Sequence, residues 1–175
     1  MPKVEVRLVD EKGKTVTPET RAEIQVRGPG VFHKYWNDLN ATKNAFSGDW
    51  FSTGDIAVAE NGIYRILGRK SLDIIKTGGY KVSALEVENV MRTHPNVAEC
   101  TIVGIKDPEW GERVSAVLVL KKGAKLPLAS LRSWAKERLA AYKIPNQIKT
   151  IDEIPRNALG KISRKKLIRL FTNPC

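Results

Sequence analysis

The chain has 175 residues, of which 42% are hydrophobic and 28% charged, a composition typical of a globular protein with a real core. No apolar run is long enough to cross a bilayer, residues 1–6 lack the apolar core of a secretory signal, and Cys100 and Cys175 show no metal-ligand or redox spacing. The formal net charge of +11 fits either a solvated basic surface or an anionic partner, which could be a nucleic acid, a nucleotide or a phosphorylated cofactor.

The first third of the chain has the pattern of a β-meander. Alternating apolar and charged residues predict strands at 4–8, 22–27, 50–59 and 63–67. The last two are joined by Asn61-Gly62, a dipeptide that favours a type I′ hairpin turn. A short helix is predicted over 40–46.

After Gly68-Arg69 the pattern changes to alternating strands and helices. Strands are predicted at 72–75, 97–104 and 113–120, with an extended segment at 147–151. Ser83 and Glu86 form a capping-box signal for a helix that Pro95 ends, and further helices are predicted around 128–139 and 164–171. We therefore predict a β piece at 1–68 and a compact α+β domain with a mixed sheet and packed helices at 69–175.

Four segments in this order resemble sequence blocks in the C-terminal part of the adenylate-forming enzymes, which include acyl-CoA synthetases, adenylation domains and luciferases. They are Val26 to Asn37, Asp49 to Asp55, Gly68 to Glu88 and Pro155 to Arg164. Within that superfamily, the stretch from Ser71 to Glu88 looks closest to malonyl-CoA synthetase-like members. The resemblance implies that the chain is the end of a large AMP-binding domain's β subdomain followed by the small C-terminal lid domain.

The resemblance also implies a reaction in two halves. A carboxylate attacks the α-phosphate of ATP to give an acyl-adenylate and pyrophosphate, and the thiol of coenzyme A then displaces AMP. The implied cofactors are ATP or AMP, coenzyme A and Mg²⁺, with the metal held mainly by the triphosphate and by a large N-terminal domain. That domain carries the family's phosphate loop and acyl pocket, which this sequence lacks, so we expect the chain alone to be inactive.

The resemblance makes Lys161 the catalytic lysine of adenylation. It follows Gly160 on a loop opened by Pro155, and an ammonium presented there can meet an anion. Taken without the other segments, it would be an ordinary surface lysine. Asp55 is implied to bind the ribose hydroxyls, although it could instead cap a turn. Arg69 is implied to contact the nucleotide, with a structural ion pair as the alternative.

For the thioester half, the resemblance points to the segment Lys76, Gly78, Gly79, Tyr80 and Lys81. Two glycines let the backbone approach a pantetheine arm closely, although Gly-Gly would equally serve an ordinary tight turn. Ser71 stands at the hinge position about which the family's lid domain rotates, where aspartate or lysine is usual. No residue is predicted to bind a metal.

The sequence thus predicts the C-terminal portion of an ATP-dependent acyl-CoA ligase acting on malonate or on another short, dicarboxylic or fatty acid. An adenylation domain that loads a carrier protein is one alternative, and an accessory chain that docks on a separate large domain is another. A basic nucleic-acid-binding module is disfavoured because the stretch 162–167 contains no aromatic residue. We expect an intracellular location, in the cytoplasm or an organelle such as the mitochondrion.

Overall fold

The computed structural model describes residues 3–71 and 73–172, which form two compact units that divide directly after Ser71. None of the helices in these residues is long and apolar enough to cross a membrane. Cys175 and Leu72, on which sequence predictions fell, lie outside the described residues.

The first unit is an antiparallel five-stranded sheet with one short helix. Its elements are β1 Glu5–Val9, β2 Ala22–Arg27, α1 Leu39–Ala45, β3 Phe46–Ser47, β4 Trp50–Glu60 and β5 Ile63–Arg69. The strand order is β1-β2-β4-β3, and β5 pairs with β4. The φ angles of Asn61 and Gly62 are +51° and +76°, as a type I′ turn requires, so the β4–β5 hairpin was predicted correctly.

The second unit is a mixed sheet packed between helices. Its elements are β6 Ile74–Thr77, β7 Tyr80–Ser83, α2 Ala84–Met91, β8 Val97–Asp107, β9 Gly111–Leu120, α3 Leu128–Lys136, a 3₁₀ turn Ala141–Lys143, β10 Gln147–Thr150 and α4 Arg164–Thr172. The order is β10-β9-β6-β7 with β8 beside β9, and among the described strands only β10 runs parallel to its neighbour. The predicted α+β class with a mixed sheet is confirmed.

The two faces of the β8–β9 hairpin are covered by different helices. Since successive side chains of a strand point to opposite faces, Ile102 packs with α2 and α3 while its neighbour Val103 packs on the α4 side. The α4 side is completed by Ile154, Leu167 and Val117, each of which is almost fully buried. Each of the helices α2, α3 and α4 is therefore held against the sheet by the apolar residues on one of its faces.

Several element boundaries differ from the sequence predictions, and strand β7 was not predicted. The strand predicted at 72–75 corresponds to β6 at Ile74–Thr77, which forms a hairpin with β7. Helix α2 ends at Met91 rather than continuing to His94, whose backbone N–H still donates to the Met91 carbonyl at 3.1 Å in a final turn. Ser83 caps α2 as predicted, because its Oγ accepts from the Glu86 N–H at 3.2 Å.

Candidate functional site

Asp55 and Arg69 face each other on the paired strands β4 and β5. They are cross-strand partners, and Arg69 Nε lies 3.1 Å from Asp55 Oδ1. Arg69 also donates from Nη1 to the Thr53 carbonyl at 2.7 Å. The Asp55 side chain is 31% exposed and the Arg69 side chain 56% exposed, so the pair lies at the surface of the first unit, where a polar ligand can reach it.

The backbone between Thr53 and Asp55 sets the direction of this pair. Gly54 has a φ of +75°, and a Cβ there would stand 3.0 Å from Nη1 of Arg69. Thr53, not Asp55, provides the local side-chain cap, since its Oγ1 accepts from the Asp55 N–H at 3.1 Å. The turn-capping alternative for Asp55 is therefore not what its carboxylate does, and the ion-pair alternative for Arg69 describes a contact that is present.

Gly78 and Gly79 form the two-residue turn of the β6–β7 hairpin, with φ angles of +53° and +81°. The two glycines have different surroundings. A Cβ on Gly78 would lie 2.9 Å from Cε3 of Trp110, whereas a Cβ on Gly79 would meet nothing within 4 Å. The Gly78 N–H also donates to the Trp110 carbonyl at 2.9 Å. Gly78 thus makes room for an indole ring, and Gly79 faces open space.

Trp110 was not predicted as a site residue, and the segment that carries it is fixed by Asp107. Asp107 Oδ1 accepts from the N–H groups of Trp110 and Glu109 at 2.9 and 3.0 Å, and Arg113 pairs with Oδ2. The Trp110 N–H, followed by the other contacts, lowers the pKa of Asp107 below its ordinary value. Trp110 itself is 49% exposed, which leaves its ring accessible beside the glycine turn.

Tyr80 is stacked on Tyr142, a second residue that the sequence analysis missed. The ring centroids lie 4.2 Å apart with an interplanar angle of 12°. The next residue, Lys143, is buried and its Nζ lies 2.5 Å from Glu86 Oε1 on α2. The hairpin is therefore held to the 3₁₀ turn by an aromatic stack beside a half-buried ion pair.

Lys76 and Lys81 are cross-strand partners on the exposed side of the same hairpin. The Lys76 backbone N–H donates to Glu112 Oε2 at 2.7 Å, which ties β6 to β9. Two ammonium groups on one hairpin beside a glycine turn provide positive charge for an anionic ligand.

Lys161 lies on a small, tightly bonded loop that Asn157 organises. Asn157 Oδ1 accepts from the Lys161 N–H at 2.9 Å and from the Leu159 N–H at 3.0 Å. The Asn157 N–H donates to the Lys161 carbonyl at 2.8 Å, and Gly160 supplies a φ of +75°. The lysine side chain is exposed, so the loop presents an ammonium from an ordered backbone.

The structure therefore pairs Asp55 with Arg69 in the first unit. In the second unit it places residues 76–81 on one hairpin. Ser71, the predicted hinge, is the last residue before the division between the units. Across residues 3–71 and 73–172, no three His, Cys, Asp or Glu side chains form a group that could hold a metal ion.

Residues 86–161 match the family model described as the AMP-binding enzyme C-terminal domain. The mitochondrial malonate–CoA ligase of Homo sapiens is 50% identical over 166 residues, which cover 93% of this chain and 29% of the human protein. The chain therefore spans less than a third of that relative's length.

Two solved structures have the same fold over nearly the whole chain. ATP-bound MatB from Rhodopseudomonas palustris is 34% identical with a TM-score of 0.90, covering 99% of this chain and 35% of that one. The o-succinylbenzoate CoA synthetase MenE from Bacillus subtilis, in complex with an acyl-adenylate intermediate, is 37% identical with a TM-score of 0.87 over 95% of this chain and 34% of that one. The predicted resemblance is thereby confirmed: this chain carries the C-terminal domain of the adenylate-forming, AMP-binding enzymes.

Proposed function

We propose that the chain is the C-terminal part of an ATP-dependent acid–CoA ligase that acts on malonate or a similar short dicarboxylic acid. The observation that carries the proposal is that one unit presents two ordered loops of different chemistry, an exposed lysine at Lys161 and a glycine turn at Gly78-Gly79. These suit the two halves of the reaction, of which the first joins two anions and the second admits a thiol. The 50% identity to the human malonate–CoA ligase supports the choice of acid.

In the first half-reaction, Lys161 would lie between the carboxylate of the acid and the α-phosphate of ATP. Both reactants are anions, so their approach is opposed unless positive charge is nearby. At ~4 Å and an effective dielectric constant of ~20, one ammonium contributes about 4 kcal/mol. If that contribution is made mainly in the transition state, it corresponds to a rate factor of about 10³.

Asp55 and Arg69 would hold the nucleotide. Each oxygen of a carboxylate can accept two hydrogen bonds, so Asp55 can keep Arg69 and still accept from the two ribose hydroxyls. The ion pair fixes the carboxylate before the ligand arrives, which reduces the entropy that binding costs.

In the second half-reaction, the pantetheine arm of coenzyme A would pass over the open side of Gly79, with Trp110 as an apolar wall. Lys76 and Lys81 would meet the phosphates of the cofactor. We further propose that rotation at Ser71 exchanges the two loops between the half-reactions, and the division of the chain directly after Ser71 supports that assignment.

The remaining ligands follow from this reaction. Mg²⁺ would enter with the triphosphate of ATP, because its preferred ligands are phosphate and carboxylate oxygens. The partner would be a large domain of the same enzyme that supplies the phosphate loop and the acyl pocket. We propose an intracellular location; the human relative is mitochondrial by its name.

The test joins the large domain of human malonate–CoA ligase to this chain in place of the part that it matches. The hybrid should release pyrophosphate from ATP in the presence of malonate and should form malonyl-CoA, whereas the 175-residue chain alone should do neither. Turnover by the chain alone would refute the claim that it needs a large domain.

Lys161→Ala in the hybrid should slow pyrophosphate release by about 10³-fold, because the contribution of the ammonium to the transition state is lost. Lys166→Ala is the matched control, since Lys166 is an exposed lysine of the adjoining helix α4. Equal rates in the two variants would show that Lys161 is an ordinary surface residue.

A further inference from the structure

Arg164 directs its side chain inward although it lies in the most basic stretch of the chain. It is the first residue of α4 and its side chain is 17% exposed. Its Nη2 lies 2.7 Å from Asp73 Oδ1, and its Nη1 donates to the Ile102 carbonyl at 2.6 Å. The guanidinium thus bridges the start of the second unit and strand β8.

Glu88 completes this cluster from helix α2 and is almost fully buried, with 2% of its side chain exposed. Its Oε1 accepts from the Ile102 N–H at 2.9 Å and lies 3.4 Å from Arg164 Nη1, and its Oε2 lies 3.1 Å from Arg92. Two carboxylates therefore face two guanidinium groups, so the charges of the four side chains balance.

The cluster is linked directly to the Lys161 loop. Arg164 follows Lys161 by three residues, and between them the Ser163 N–H donates to the carbonyl of Pro155, which begins the loop. The loop has a second ion pair, between Arg156 and Glu99. Both side chains are half-exposed, and exposed ion pairs contribute little to stability. Arg164 is thus the loop's inward anchor.

The cluster is also linked to the segment that follows Ser71. Asp73 lies two residues beyond Ser71, and its carbonyl accepts from the Ala84 N–H at 2.7 Å, at the start of α2. A guanidinium presents its donors in a fixed planar fork, so the positions of Asp73 and of the Ile102 carbonyl define the position of Arg164 closely.

We propose that Arg164 is a positioning residue for adenylation, whose contacts with Asp73 and Glu88 hold the Lys161 loop in register with the segment after Ser71. Any rotation at Ser71 then moves Lys161 through a rigid side-chain connection, not through the intervening chain. The catalytic part of this inference depends on the proposed ligase function. The anchoring part does not.

The anchoring part is tested on the full chain by hydrogen exchange at the five hydrogen-bonded amides of the loop, those of Asn157, Leu159, Gly160, Lys161 and Ser163. Arg164→Gln should speed their exchange at least tenfold. The matched control, Arg92→Gln, removes a guanidinium from the same Glu88 carboxylate but lies outside the loop, so it should leave these amides unchanged. Equal effects of the two variants would overturn the anchoring role.

The catalytic part is tested in the hybrid ligase by separating the half-reactions. Arg164→Gln should slow malonate-dependent pyrophosphate release by 10- to 100-fold, while thioester formation from synthetic malonyl-adenylate changes less than threefold. Arg164→Lys keeps the charge without the fork and should restore the first rate only in part. Equal losses in both half-reactions would indicate a purely structural role and refute positioning.

The anchoring part and the catalytic part of the proposal can be refuted separately. A wild-type hybrid without activity would contradict the proposed function, and the exchange data would still decide whether Arg164 anchors the loop. Accelerated exchange throughout residues 73–172 in both Arg164 variants would show general destabilisation and would overturn the proposal.

Discussion

The contact between Gly78 and Trp110 predicts that the two glycines of the hairpin turn respond differently to the same substitution. Both have positive φ angles, but only a Cβ on Gly78 meets the indole, at 2.9 Å from Cε3 and 3.0 Å from Cζ3. Distances below 3.0 Å are not compatible with van der Waals contact, so either the turn or the ring must move.

The magnitudes follow from two separate costs. An alanine in the left-handed region costs the folded state roughly 1–2 kcal/mol. Replacing glycine also lowers the conformational entropy of the unfolded chain, which offsets part of that cost, so Gly79→Ala should lower the free energy of unfolding by about 1 kcal/mol. Overpacking costs roughly 1–3 kcal/mol more. At Gly78 this cost should lie near the lower limit, because the half-exposed ring of Trp110 can move. Gly78→Ala should therefore destabilise by about 2 kcal/mol.

Urea unfolding of the full chain, followed by far-ultraviolet circular dichroism, measures both variants. In a Trp110→Leu background the cost of Gly78→Ala should fall to about 1 kcal/mol, that of Gly79→Ala, since only the backbone cost remains. Gly78→Asn is a further check: Asn-Gly suits a type I′ turn, yet the clash with Trp110 persists. If Gly78→Ala costs no more than Gly79→Ala, or if the Trp110 background changes nothing, the steric reasoning is wrong.

Three further predictions concern buried groups. Lys143→Gln should loosen the stack on Tyr80 and, in the hybrid ligase, slow thioester formation about tenfold more than adenylation; the opposite ratio would contradict this role. Burial raises the pKa of Cys100 to about 12, which lowers the fraction of reactive thiolate. In a Cys175→Ser variant at pH 8, a disulfide reagent should therefore modify Cys100 about 10³-fold more slowly in the native state than in urea. Equal rates would show that the thiol is exposed. Burial also raises the pKa of Glu88, so the folded state binds more protons; the free energy of unfolding should fall as pH rises above the ordinary carboxyl value, and urea titrations should show that Glu88→Gln flattens this decline.

Local patterns predicted the elements whose signals are local. The β4–β5 hairpin needs only alternation and Asn61-Gly62, and helix α2 needs only the cap at Ser83 and the apolar spacing behind it. Strand β7 was missed because its exposed residues, Tyr80 and Lys81, gave no clear alternation over four residues. Such a short strand is set by its partner β6 and by the turn between them.

The side chains that hold the loops in place were not predictable by segment. Trp110 and Gly78 meet because the end of β6 pairs with the start of β9, a long-range contact that spacing does not encode. Tyr142 lies beyond the helix predicted around 128–139 and carries no signal of its own, although its ring stacks on Tyr80 of the hairpin. The sequence analysis had identified Gly78 and Tyr80, but their partners Trp110 and Tyr142 reach them only through tertiary packing.

For Arg164, however, the sequence did contain a signal. Arg164, Leu167, Ile168 and Phe171 stand at i, i+3, i+4 and i+7, so the arginine occupies the first position of the apolar stripe of α4. Helix α2 shows the complement, since Glu88 is a buried member of the stripe that also contains Ala84, Val87 and Met91.

A charge within an apolar stripe costs free energy unless an opposite charge meets it, so two such helices in one small domain imply that the stripes face one cluster. The positive charge that stood out in the sequence therefore has two parts. Lys165, Lys166 and Arg169 are exposed, while Arg164 is bound by carboxylates inside the domain. Periodicity, not net charge, separates the two parts, and it assigns the arginine next to the lysine loop to the core.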